Sequence, residues 1–314
     1  MGAYLVRRFL LMVLTLFGMS VLIFVMLRLV PGNIADILVD ASGADPADKA
    51  KIAHELGIDR PIAAQYVTWI RGLAHGDLGY AYVSERPAIE EIAPRIPISA
   101  KLAGMAIFFA ILFGVPLGVI SAVRQNTPLD YFLRVLSLSG LSLPSFWLGL
   151  LVLMASVHWF GAIPIYDSNP HSFLQDVAML GLPAMTVGFR SSALIMRLTR
   201  SSMLEVLRQD YVRTARSKGA TNRSVNYNHA LRNALLPVVT VIGIEAAFLV
   251  GGLIVTETVF NIPGVARFLV EAILWRDYPI VQNLVMLIAF VVVTMNFLID
   301  MAYMVLDPRI KFSD

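Results

Sequence analysis

Six stretches of this sequence are apolar for long enough to cross a bilayer: residues 9–27, 102–123, 135–157, 177–196, 234–255 and 279–299. At the rise of an α-helix, about 20 residues cover the hydrocarbon core. Lipid offers the backbone no hydrogen-bond partner, so only helices and closed barrels can span it. Barrel strands would be about half as long and would alternate polar with apolar residues. These runs do neither, and an all-α polytopic membrane protein with six transmembrane helices is expected. The composition agrees: 57% of the residues are hydrophobic and 15% charged, against about 25% charged in a soluble domain.

The first run follows Arg7-Arg8. It exceeds the roughly 7–15 apolar residues of a secretory signal and lacks a small-x-small cleavage site, so it is read as a retained helix. There is no cysteine, which removes disulfides and thiolate metal sites. His54, His75, His158, His171 and His229 are scattered without i+3 or i+4 partners, and no metal site is expected. The chain contains no Gly-x-x-x-x-Gly-Lys-Ser/Thr phosphate loop, His-Glu-x-x-His or Gly-x-Ser-x-Gly string. No catalytic role and no bound cofactor are therefore expected of it.

The placement of Lys and Arg sets the orientation. Arg7 and Arg8 precede the first run, Arg124 follows the second, and Arg309 and Lys311 follow the sixth. Between the fourth and fifth runs lie Arg197, Arg200, Arg208, Arg213, Arg216, Lys218, Arg223 and Arg232, whereas residues 160–176 carry no Lys or Arg. By the positive-inside rule both termini and the basic loop are cytoplasmic. Three segments follow: 1–30, the N-terminal end and first span; 31–97, an extracytoplasmic helical insertion; and 98–314, the core, with a cytoplasmic loop at 200–235. In the insertion, Asp45 and Pro46 read as a helix start running to Gly57, and Ile62, Tyr66, Trp69, Ile70 and Leu73 recur at helical spacing.

The basic loop reads as a folded element. Leu204, Leu207, Tyr211 and Ala215 recur at helical spacing, predicting an amphipathic helix that Gly219 ends at a left-handed cap. A second short helix starts near Thr221 or Asn222 and leads into the fifth span. Two short helices about a glycine elbow form a knob suited to a groove on a soluble partner. A solvated basic loop near anionic lipid accounts for the charges equally well.

Blocks spread along the chain resemble the first permease subunit of the peptide/nickel family of ATP-binding-cassette importers. They are "RRFLLMVLTLFGMSVLIFVMLRLVPGN", "ELGIDRPIAAQYVTWIRGLAHGDLG", "DYVRTARSKGA" with "HALRNALLPVVT", and "GGLIVTETVFNIPGVARFLVEAILWRDYP". The resemblance implies the type I importer permease architecture in a bacterial inner membrane. It implies a paralogous second permease, two ATPase subunits that hold ATP and magnesium, and an extracytoplasmic substrate-binding protein, with no nucleic acid. Short peptides are the cargo the resemblance implies first, since they dominate that family, with longer peptides, glutathione, nickel chelates and oligosaccharides open behind them. It also assigns the ATPase-coupling loop to Arg213, Thr214, Ala215, Arg216, Gly219 and Ala220. Here Thr-Ala replaces the consensus Ala-Ala, and Arg213 stands where the consensus has Glu. The better textual match, Glu245-Ala246-Ala247 with Gly251, lies in an apolar run and cannot reach a soluble partner.

Ionisable residues within spans are functional candidates by default. Glu245 is the deepest and must face the pathway, face a partner helix, or be protonated; it and Arg190 are candidates for the substrate pathway. Asp300 reads as a charge at a helix end. Glu257 reads as an anchor for the "FNIPG" turn, and Phe146 and Trp147 as packing at a kink caused by Pro144. A secondary transporter using Glu245 and Asp300 as a relay, or a membrane scaffold, would be the alternatives.

Overall fold

The computed structural model describes residues 2–29, 39, 51, 53–54, 57–161, 166–167 and 172–306. Among them the backbone is helices and turns, with one isolated antiparallel bridge between Tyr80 and Pro87. The helix expected between Asp45 and Gly57 lies largely outside the described residues. Five helical segments are long and apolar enough to cross a membrane: Leu5–Leu29, Ala88–Val123, Phe173–Val206, Asn222–Leu249 and Tyr278–Met301. The third expected span, 135–157, is broken. It comprises α5 (Pro128–Ser142) and α6 (Ser145–Phe160), bent by 108°. Pro144 is the cause: it has no N–H to continue the helix and holds Leu143 extended at ψ 132°. Phe146 and Trp147 do not pack at this break; both are exposed on the chain, which corrects the expectation.

The described residues fall into two compact units, 1–99 with 263–294, and 100–262 with 295–314. In the first unit, α1 (Gly2–Leu29) presents most of its apolar side chains outward, as a lipid-facing helix does. Helix α2 (Ile62–Ala74) packs on α1; of the expected stripe Tyr66, Trp69, Ile70 and Leu73 are half-buried, whereas Ile62 is exposed. Phe24 stacks with Trp69 and meets Tyr66 edge-on, and Ser20 hydrogen-bonds Tyr66 at 2.9 Å. The Arg28 guanidinium caps the Phe24 ring and donates twice to Gln65 Oε1. Trp69 Nε1 donates to Asn283, whose own amide donates to Leu78 O. A core of Ile92, Leu269, Ile280 and Leu284 joins α3 (Ala88–Ile92), α12 (Val265–Leu274) and the start of α13 (Tyr278–Leu306).

The second unit is built around α7 (Phe173–Val206), which starts at a capping box between Ser172 and Gln175. Helix α4 (Arg95–Val123) lies parallel to it at very close approach. A Cβ on Gly118 would stand 2.6 Å from Thr199 Cβ, and one on Gly188 would stand 2.6 Å from Ala106 O. Only glycine permits that separation. Helices α5 and α10 (Arg232–Gly252) run antiparallel to α7: Ser137 donates to Ala193 O, while Val238 packs with Ile195 and Ala110.

In the first unit, the buried Asp277 caps α13 through Ile280 N and accepts from Val83 N at 3.1 Å, tying the Tyr80–Pro87 turn to that helix. Burial pushes its carboxyl above the ordinary carboxylate range, against the opposite pull of those backbone donors. The folded protein therefore favours the neutral acid. That stabilisation is complete below the ordinary carboxylate pKa and is lost as the pH rises through the raised value. Asp277→Asn cannot titrate; melting curves in detergent should show a smaller fall in Tm from acid to neutral pH than in the parent.

Candidate functional site

The basic loop forms a compact knob. Helix α7 ends at Val206, residues 207–209 turn, and α8 spans Asp210–Ser217. At the end of α8, Ala220 N bonds Ala215 O and Gly219 N bonds Arg216 O, with Gly219 at φ +84°. This is the Schellman closure, and the left-handed glycine is where the sequence places it. Thr221 then accepts from Ser224 N and starts α9 (Asn222–Ser224), followed by a π-helical segment, Val225–Leu231, that runs into α10. The knob rests on a buried patch of Val119, Ala122, Met203, Ala230 and Ala234. Asn233 donates to Tyr211 Oη at 2.7 Å, which fastens α8 to α10.

One sequence expectation fails here. Leu204, Leu207, Tyr211 and Ala215 do not form one stripe, because the turn at 207–209 resets the helical phase. The buried anchor of α8 is Val212, whereas Tyr211 is exposed. Of the expected coupling residues, Arg213, Thr214, Arg216 and Gly219 are exposed, and Ala215 and Ala220 half-buried. The exposed residues of α8 are thus mainly cationic and hydrogen-bonding, with the Tyr211 ring among them.

The two pathway candidates separate. Glu245, half-buried in α10, accepts a hydrogen bond from Ser191 Oγ of α7 at 2.5 Å. Arg190 is exposed and pairs with no described carboxylate. Glu257, in α11 (Ile254–Val259), is fully buried, and its carbonyl accepts from Ile262 N across the "FNIPG" turn. Asp300 is half-buried in α13. In the first unit a cavity of about 900 Å³ is lined by Arg60, Trp69, Asp77, Tyr80, Tyr82 and Glu85 among others. Burial pushes the Tyr82 phenol up to about 12, so it remains a neutral hydrogen-bonding group there. The cavity offers both signs of charge beside aromatic rings.

Residues 114–312 match the family described as the inner membrane component of binding-protein-dependent transport systems. Residues 1–103 match the N-terminal region described for such membrane components. The chain belongs to this family. It is 40% identical to a dipeptide transport system permease protein of Escherichia coli, over 98% of each chain. It is 38% identical to a di/tripeptide transport system permease protein of Pseudomonas aeruginosa, over 99% of each. A putative peptide transport system permease protein of Brucella abortus is 39% identical over 94% of each. The chain is accordingly a multi-pass inner-membrane transport component, of the all-α type the sequence implied.

This permease also contains a polar cluster that reading the sequence missed. Asp130, fully buried in the first turn of α5, receives Arg200 Nε at 2.8 Å and a second guanidinium nitrogen at 2.9 Å. Ser121 Oγ of α4 donates to it at 2.5 Å, and Asn126 N at 3.0 Å. Arg134 Nε stands 3.8 Å away. The available signal was the string Thr127-Pro128-Leu129-Asp130, which announces a capped helix start, but nothing local points from there to Arg200. For the knob itself, Gly219→Ala should cost about 1 kcal/mol by forcing an L side chain into the left-handed region. Hydrogen exchange at the amides of 219 and 220 should accelerate accordingly.

Proposed function

We propose that this chain is one permease subunit of an ATP-binding-cassette importer for short peptides. It works beside a second, related permease chain, two ATPase subunits that bind ATP and magnesium, and an extracytoplasmic substrate-binding protein. The observation that carries this reading is the knob: a capped, charged, solvent-facing element whose base is packed into the spanning helices. Such an element passes a push from a soluble partner into the bundle, which a floppy basic loop would absorb. Both termini and the knob face the cytoplasm in this reading, supported by the basic residues clustered in and around 197–232.

Function follows as a bias between two states. ATP binding closes the ATPase pair; the surface formed by Arg213, Thr214, Ala215, Arg216, Gly219 and Ala220 follows its groove, and the bundle reopens on the other side. Nucleotide drives the cycle only through its differential affinity for the two arrangements. Peptide cargo is supported by the relatives' substrates. It is supported also by the outer cavity, whose opposite charges and rings suit a molecule bearing an ammonium and a carboxylate. Glu245, held by Ser191, is the carboxylate placed to meet a cationic group of cargo inside the membrane.

The space around Gly219 is open, with no atom within 4 Å of an added Cβ. In the reconstituted transporter, Gly219→Trp should therefore insert and fold as Gly219→Ala does, yet lose about tenfold more substrate-stimulated ATP hydrolysis, within the range of coupling between sites. Equal activity of the two variants would place docking elsewhere. Glu245→Gln should leave co-purification of the ATPases unchanged and alter the rate or the charge preference of peptide uptake; identical uptake across cationic and neutral peptides would remove Glu245 from the pathway.

A further inference from the structure

The Asp130 cluster lies where four pieces of the second unit meet the knob. Ser121, which donates to Asp130, sits between Val119 and Ala122, and both of those residues form the knob's base. Arg200 is one turn before Met203, the α7 residue in the same base. From Arg200 the helix continues for about 9 Å to Val206, at 1.5 Å per residue, before the chain turns into α8. Asp130 thus joins the end of α4, the turn at Asn126 and the start of α5 to the stretch of α7 that carries the knob.

The chemistry of the join suits transmission more than stability. A buried ion pair is often no more stabilising than apolar residues of the same volume. A bidentate guanidinium–carboxylate pair does what an apolar contact cannot: its two parallel hydrogen bonds fix the angle as well as the distance. Farther along, α5 meets α7 at Ser137, which donates to Ala193 O, and at Gly140, packed closely against Ala193 and Phe189; a single hydrogen bond there leaves the angle between the helices unset. The fork at Arg200 and Asp130 removes that freedom at the cytoplasmic end.

We propose that Asp130 and Arg200 are positioning residues for transport, forming the clamp through which displacement of the knob turns α5 together with α7. This rests on the reading of the knob as the ATPase-docking element. When the ATPases move α8, the rotation of α7 reaches α5 through the paired hydrogen bonds and reaches α4 through Ser121. The three helices then move as one body, and the pathway opens only when the ATPases change state.

The test uses the complete transporter in proteoliposomes, with Asp130→Asn, Arg200→Gln and the double variant. Each is read for Tm in detergent, for retention of the ATPase subunits, and for peptide imported per ATP hydrolysed. Asp130→Asn leaves the Arg200 guanidinium without its carboxylate, and Arg200→Gln leaves buried Asp130 with only the longer contact to Arg134; both should lower Tm, and the double change, which removes both charges, should recover most of it. The expected result is that the double variant keeps its ATPases and hydrolyses ATP, yet imports roughly tenfold less peptide per ATP, as a lost coupling would give. Parental import per ATP in the double variant would overturn the proposal, since only a structural role recovers with stability. Arg200→Lys keeps the charge without the fork and provides a folded check: reduced import per ATP supports the clamp, and parental import sinks it. Loss in the double variant combined with no effect of Gly219→Trp would retain the clamp and place the ATPase contact at another surface.

Discussion

The close approach of α4 to α7 is the contact on which the second unit depends. In a bilayer, apolar side chains gain nothing by leaving lipid for protein, so helices associate through packing and hydrogen bonds. Gly118 against Thr199 and Gly188 against Ala106 bring the two backbones together along much of their length. Within that unit, α5 and α10 are set against the pair. Helix α10 lies on it through Val238 and Ala234, and α5 is fixed to it by Ser137 and by Asp130. The knob sits at the C-terminal end of the same pair, so a push on it would reach helices beyond its own.

The architecture was legible where it follows from local rules. Apolar run length gave the spans, because an unbonded backbone cannot lie in lipid. The end of α8 was legible because only glycine enters the left-handed region without strain, and Gly219 does so. The stripe on α2 was legible from periodicity alone. Each of these signals is carried by residues within a few positions of one another.

What could not be read depends on partners far apart in the chain. The Asp130–Arg200 pair closes over a separation of 70 residues. The pairing of 263–294 with the N-terminal region is equally non-local, whereas reading in chain order gave segments 1–30, 31–97 and 98–314. The face of α8 was misassigned for a different reason: periodicity assumes an unbroken helix, and the turn at 207–209 shifts the phase so that Val212 points inward. Glu245 stands out in the sequence because a carboxylate in an apolar run is conspicuous, whereas its Ser191 partner, an ordinary polar residue, does not.

The bend between α5 and α6 has a consequence for how the protein exists in a membrane. Taken as one span, the pair places its break near the midpoint, at Leu143 and Pro144, with Ser142, Pro144, Ser145, Phe146 and Trp147 exposed on the chain. Irregular backbone at that depth is tolerated only against protein or beside a water-filled cavity. Among the described residues no side chain covers this surface, so in lipid the break calls for a neighbour or water against it. The bend thus makes this stretch of the chain a place where company in the membrane, rather than lipid alone, would complete the structure.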